Sequence, residues 1–189
     1  MDVAAASQIV GLTDRELWIV TAANGPRRGG LVATFVCLAS LVDELPRMLI
    51  ALATQHHTHQ LIEASGAFGL HLIAARQLEW VWHFGLQSGR DVDKLAGLSC
   101  ESGVTGAPLL SEAIGWLDCR VETRLETGDR TAYLAEVVAA RMNRSELPLT
   151  ATELLRIAPP ERLEQLKKQR ERDSRIDAQA ILAWRARHA

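Results

Sequence analysis

The chain has 189 residues, 48% of them hydrophobic and 23% charged, with a formal net charge of −2. That suits one domain with a full-sized core plus some appended structure, and it leaves no basic excess to suggest nucleic acid. No apolar run approaches the ~20 residues of a membrane span, and "MDVAAASQIVGL" lacks the basic start and apolar core of a signal peptide.

Cys37, Cys100 and Cys119 are odd in number and widely spaced, so they read as buried thiols rather than a disulfide frame or zinc site. A cytoplasmic protein with no membrane and no nucleic-acid partner is expected.

In chain order, "ELWIVTAAN" (16–24) predicts a strand, and Asn24-Gly25-Pro26 with the following "RRGG" predicts a turn or loop. "LVATFVCLASL" (31–41) and "RMLIALA" (47–53) predict further extended segments, with Pro46 placed where it removes no ladder hydrogen bond. "HHTHQLIEASG" (56–66) predicts a short helix capped by Thr58, with Leu61, Ile62 and Ser65 on one face and Gly66 as its stop. "AFGLHLIA" (67–74) is strand-like, 76–84 reads as a second short helix, and "GLQSGRDVDKLAG" (85–97) as mostly loop.

The Gly- and Ser-rich stretch 98–108 reads as a surface loop. Leu117, Cys119 and Val121 then alternate with Asp118, Arg120 and Glu122, the period of a half-buried strand. "ETGDR" predicts a hairpin turn and "TAYLAEVVAARM" the returning strand. From Leu149 the composition turns helical, with Pro159-Pro160 as a start and Glu164/Lys168 and Glu171/Arg175 as i,i+4 pairs. The pattern divides the chain at 148/149, into a domain over 1–148 and a C-terminal helical extension over 149–189. Mostly antiparallel strands with few intervening helices predict a mainly β fold, a closed or nearly closed β-barrel with short helices and that extension.

The chemistry concentrates in "ATQHHTHQLIEASG" (53–66). His56 and His57 are adjacent and point apart in regular structure, no HExxH is present, and the nearest acid is Glu63, so no metal is expected. A helix N-terminus with imidazole and hydroxyl donors suits an anion instead. A polar loop with a plain N-cap is the bland alternative. In "SGRDVDK" (88–94), Arg90 and Lys94 offer positive charge; the bland reading pairs them with Asp91 and Asp93 on the surface. Trp18 and Trp116 read as core, whereas Trp80 and Trp82 lie where they could cover a pocket or an interface.

"GGLVATFVCLAS", then "HHTHQLIEASGAFGLHLI", then "FGLQSGRDVDKLAG", taken in that order, resemble the flavin reductase-like, FMN-binding split β-barrel family. The resemblance runs from about Glu16 to Arg141. It implies a homodimer of barrels binding FMN, or FAD, near the subunit interface, with NAD(P)H as electron donor and a monooxygenase as one class of partner. It places Ala33 and Thr34 along the isoalloxazine ring, Ser40 near the ribityl-phosphate region and Thr58 with His56 at the phosphate. The loop carrying Arg90 and Lys94 falls near the flavin, and His57 and His59 are left to solvent.

Members often carry a Gly-Asp-His turn late in the barrel. Here the triplet is Gly128-Asp129-Arg130, and arginine holds an anion but does not donate a proton near neutral pH. The expected function is an NAD(P)H-dependent flavin reductase, with no catalytic acid or base assigned. A flavin carrier or sensor is the alternative, and a haem protein using His71 or His83 a weaker one.

Overall fold

A computed structural model describes residues 2–188. Its centre is a seven-stranded, wholly antiparallel, curled sheet in the order β2-β1-β5-β8-β9-β4-β3. The strands are β1 (Trp18–Asn24), β2 (Arg27–Ala33), β3 (Val36–Leu38), β4 (Arg47–Ala53), β5 (Ala67–Leu72), β8 (Gly115–Glu126) and β9 (Arg130–Met142). A separate hairpin pairs β6 (Cys100–Ser102) with β7 (Pro108–Leu110). The mainly β expectation holds, and the curled sheet with its short helices is the split-barrel architecture.

Local chemistry explains the boundaries. Gly25, at φ 59°, makes the tight β1–β2 turn with Pro26, so "RRGG" is not loop: Arg27 to Gly30 pair with Thr21 to Asn24. Helix α2 (His57–Ser65) stops at Gly66, whose φ of 68° is left-handed and whose N–H donates to the Ile62 carbonyl. Its N-cap is His56, not Thr58, which lies one turn position inside the helix and is buried. Leu61 and Ile62 face the core as expected, but Ser65 stays exposed.

Two further corrections come from burial. Residues 98–108 do not simply run over the surface, because β6 and β7 form within and beside them and Ala107 to Leu110 are buried. Asp118 breaks the expected alternation. It is fully buried, accepting from the Thr105 backbone N–H at 3.0 Å and the Thr105 hydroxyl at 2.5 Å, and a register shift follows it at Cys119.

One core fills the curled sheet under α2, around Ile50, Leu61, Phe68, Leu70 and Tyr133. A second lies outside it, where Ile19, Ile73, Trp82, Phe84 and Leu110 meet Leu149 and Leu154. Helix α3 (Leu78–Gly85), entered through one 3-10 turn at Ala75–Gln77, supplies Val81, Trp82 and Phe84 to that second core.

Near the termini, α1 (Val3–Gly11) contributes no buried residue. The chain returns in α4 (Ala151–Ile157) and in α5 (Pro160–His188), a 29-residue helix with no buried residue. Leu163 and Leu166 pack on the second core, while Ile176 and Leu182 remain exposed. Beyond Leu166 the helix is held by polar contacts and by Trp184 against Gly128. Of the two expected helical pairs, Glu164–Lys168 closes at 3.8 Å. Cys119 is buried and its thiol pKa pushed up by burial, but Cys37 is exposed and Cys100 half-buried, against the expectation of three buried thiols.

Candidate functional site

A cavity of 630 Å³ lies where the N-terminus of α2 meets β2, the 86–94 loop and one face of α5. His56, His57 and Thr58 line one side, Arg90 and Lys94 another, and Lys168, Arg172 and Ile176 the third. The histidines do not converge. The His57 ring sits between Gly29 and Gly89, where added Cβ atoms would approach its Cδ2 to 3.2 and 3.0 Å. His59 Nε2 lies 2.9 Å from the Thr131 hydroxyl. Neither therefore faces solvent freely, contrary to the expectation from sequence, and His57 rather than His59 belongs to the cavity.

Helix α2 has no side-chain cap, so its first-turn amides have no intrahelical or capping partner from His56. That is the condition under which a helix start accepts an anion. Burial depresses the His56 pKa, so the ring is a neutral hydrogen-bonding group there near neutral pH. Arg90 is steered by its own contact, Nη2 donating to the Gln55 carbonyl at 2.9 Å. Lys94 is almost wholly buried, and its ammonium donates to the Gly30 and Phe84 carbonyls at 3.0 and 2.7 Å. Desolvation brings its pKa down to about 8. The alternative surface pairing of these cations with Asp91 and Asp93 does not form: Asp93 is gripped by Nε and Nη2 of Arg28.

Arg130 is not an exposed hairpin tip. Its Nη2 meets Asp177 of α5 at 2.8 Å, its Nε meets Asp129 at 3.3 Å, and the guanidinium lies 4.9 Å from the centre of the Phe35 ring. It opens β9 opposite Ala53, three residues before His56. Ala33 ends β2 buried, and Thr34 follows it, half-buried, in the break before β3. Ser40 lies apart: its hydroxyl accepts from the Val42 N–H at 3.1 Å, and it lines a separate 240 Å³ cavity with Pro46 and Arg47.

The structure thus brings together His56, Thr58, Arg90 and Lys94, and leaves Ser40 elsewhere. His71 and His83 are both engaged, the first wholly buried with Nδ1 on the Ile19 carbonyl, the second with Nε2 on the Lys94 carbonyl. Neither lines the cavity at the start of α2.

Among the cavity residues that sequence reasoning missed, five lie on α5. Lys168, Gln169, Arg172, Asp173 and Ile176 share one helical face over the cavity, and Gln169 Nε2 donates to the Gly85 carbonyl at 2.9 Å. Their spacing is the available signal, since i, i+4 and i+8 positions lie on one side of a helix.

Residues 10–153 match the family model described as flavin reductase like domain. The chain is 26% identical over 136 residues to the ferric-chelate reductase (NAD(P)H) of Archaeoglobus fulgidus, covering 71% of this chain and 79% of that protein. It is 31% identical over 121 residues to the FMN reductase (NADH) RutF of Stutzerimonas stutzeri, covering 64% and 68%. The Streptomyces globisporus NADH:FAD oxidoreductase SgcE6 superposes with a TM-score of 0.66 at 26% identity, covering 75% and 83%. Other curated relatives are longer, and the chain spans 58% and 24% of two of them. With three quarters of its length matched by the family model and the curled sheet of the fold, the chain belongs to the flavin reductase-like domain family.

Proposed function

We propose that this protein is an FMN-binding, NAD(P)H-dependent flavin reductase. The observation that carries the reading is the uncapped start of α2, set in a cavity with Arg90, Lys94 and His56. Phosphate meets first-turn amides there, with the Thr58 hydroxyl and the neutral His56 ring as further donors. Ala33 and Thr34, at the end of β2, would hold the flavin ring, with Arg130 bordering that end. Bound FMN supplies the redox chemistry, taking hydride from reduced nicotinamide and passing electrons to an acceptor.

The chain's own residues bind, orient and shield. Arg90 and Lys94 offset the phosphate charge, and α5 excludes water from the cavity's third side. Arg130, already paired with two carboxylates, orients rather than transfers a proton. Phe35, Leu38, Leu41, Val42 and Leu45 are exposed beside the edge strand β3, which supports burial against a second copy of the chain. A homodimer that hands reduced flavin or electrons to a monooxygenase fits this arrangement.

Anchored Arg130 in place of the family histidine favours one other reading, a flavin carrier without turnover. Steady-state oxidation of NADH and NADPH with added FMN separates the two. Flavin-dependent consumption above the protein-free rate is expected, and none with either nucleotide would overturn the reductase.

A further inference from the structure

A second cavity, of 590 Å³, adjoins the anion cavity, and Leu86 and Gln87 line both. Its remaining walls come from α3, through Trp80, Trp82 and His83, from the loop 96–98, and from the first turns of α5, through Arg162 and Gln165. The chemistry of this cavity differs from that of its neighbour. Trp80 is half-buried and meets Phe84 edge-on, at 6.3 Å and 74°, so among the described residues no ring stacks on it. Trp82 is 3% exposed, and its indole N–H is buried with no hydrogen-bond partner. A buried donor left unpaired costs stability, and a ligand acceptor in the cavity would relieve it. The amides of Gln87 and Gln165 both donate and accept, Glu79 offers an acceptor for hydroxyls, and Arg162 adds positive charge.

We propose that this cavity binds the adenosine end of a dinucleotide whose phosphate occupies the adjoining anion cavity, a placement that rests on the phosphate reading above. The base stacks on Trp80, its ring nitrogens and amino group meet the Trp82 N–H and the glutamine amides, and the bridging phosphates pass Gln87. Two ligands carry this adenosine diphosphate group, FAD and the pyridine nucleotide, and the cavity serves whichever of them brings it. An apolar groove alone would not select it; an aromatic face, paired amides and flanking cations together do.

The test is titration of the full-length protein with ADP, FMN, FAD, NADH and NADPH, following tryptophan fluorescence, for the wild type, Trp80→Leu and Arg162→Glu. ADP should quench the wild type. Trp80→Leu should weaken ADP about tenfold, the size of one base–aromatic stack, and leave FMN within about twofold. Arg162→Glu, on the half-exposed start of α5, should weaken ADP as well without touching the core. Loss of FAD affinity alone assigns the cavity to the flavin, and loss of nicotinamide nucleotide affinity alone assigns it to the electron donor. If FMN binds but ADP does not, or if both variants bind ADP as the wild type does, the adenosine cavity is wrong. If FMN itself fails to bind the wild type, the phosphate reading fails first.

Discussion

At the scale of single residues, Thr58 makes the sharpest statement about the site. It is buried at the start of α2 and lines the anion cavity. A hydroxyl bonded to a phosphate contributes about 1.5–3 kcal/mol. Thr58→Ala should therefore weaken FMN about tenfold or more and riboflavin by less than about twofold, as read by flavin fluorescence quenching. Equal losses would place the phosphate elsewhere.

His71 makes an independent statement about stability. Its Nδ1–H donates to the Ile19 carbonyl at 2.9 Å, Nε2 is buried without a partner, and burial lowers its pKa from 6.5 to about 4. The folded ring refuses a proton that the unfolded chain accepts, so stability is full above pH 6.5 and declines as the pH falls toward 4. Below about 4 both states are protonated and this loss stops growing. The loss amounts to about 3 kcal/mol, and urea unfolding of His71→Gln across that range should show a flatter profile than the wild type. The sequence made the proposed phosphate donors legible because donor types and helix starts are local. It could not show that Thr58 lies inside the helix rather than at its cap, since that depends on how His56 enters from β4.

At the scale of elements, the strands were legible wherever pattern and burial agree, as in β1, β4 and β5. They were not where a distant residue decides. Asp118 looks solvent-facing until Thr105, thirteen residues earlier, supplies two donors to its buried carboxylate. Likewise "RRGG" reads as loop by composition, but Gly30 in β2 is required by tertiary packing, since a Cβ there would come within 2.9 Å of the Phe84 ring.

Gly66 is the opposite case, a purely local requirement. Its φ of 68° leaves nothing within 4 Å of an added Cβ, so Gly66→Ala should cost about 1 kcal/mol through conformation alone, measurable by denaturant titration. Helix α5 was legible as a helix but not as a wall of the site, because beyond Leu166 its contacts to the barrel are few and mostly polar. Asp177→Asn removes its ion pair with Arg130, whose contribution is partly offset by the burial that raises the Asp177 pKa. Hydrogen exchange over residues 169–184 should quicken several-fold while the strands stay protected; unchanged exchange would mean the pair does not hold the helix.

At the scale of the whole molecule, the β3 edge and the loop 39–46 after it carry one exposed apolar surface, and the C-terminal end of β4 leads into α2 and the cavity. Leu41 is 95% exposed and Leu45 69%, a cost in water that a second copy would remove. Light scattering should give twice the 20.8 kDa chain mass, and Leu41→Glu with Leu45→Glu should shift the population toward monomer. No described helix is long and apolar enough to cross a membrane.

The central claim is that this fold holds FMN in the α2 cavity and reduces it with a nicotinamide nucleotide. Anaerobic visible spectroscopy of the protein, loaded with FMN and desalted, tests it directly as NADH or NADPH is added. The account predicts a flavin band that stays with the protein and bleaches with at least one nucleotide. A band that remains yellow with both would contradict it.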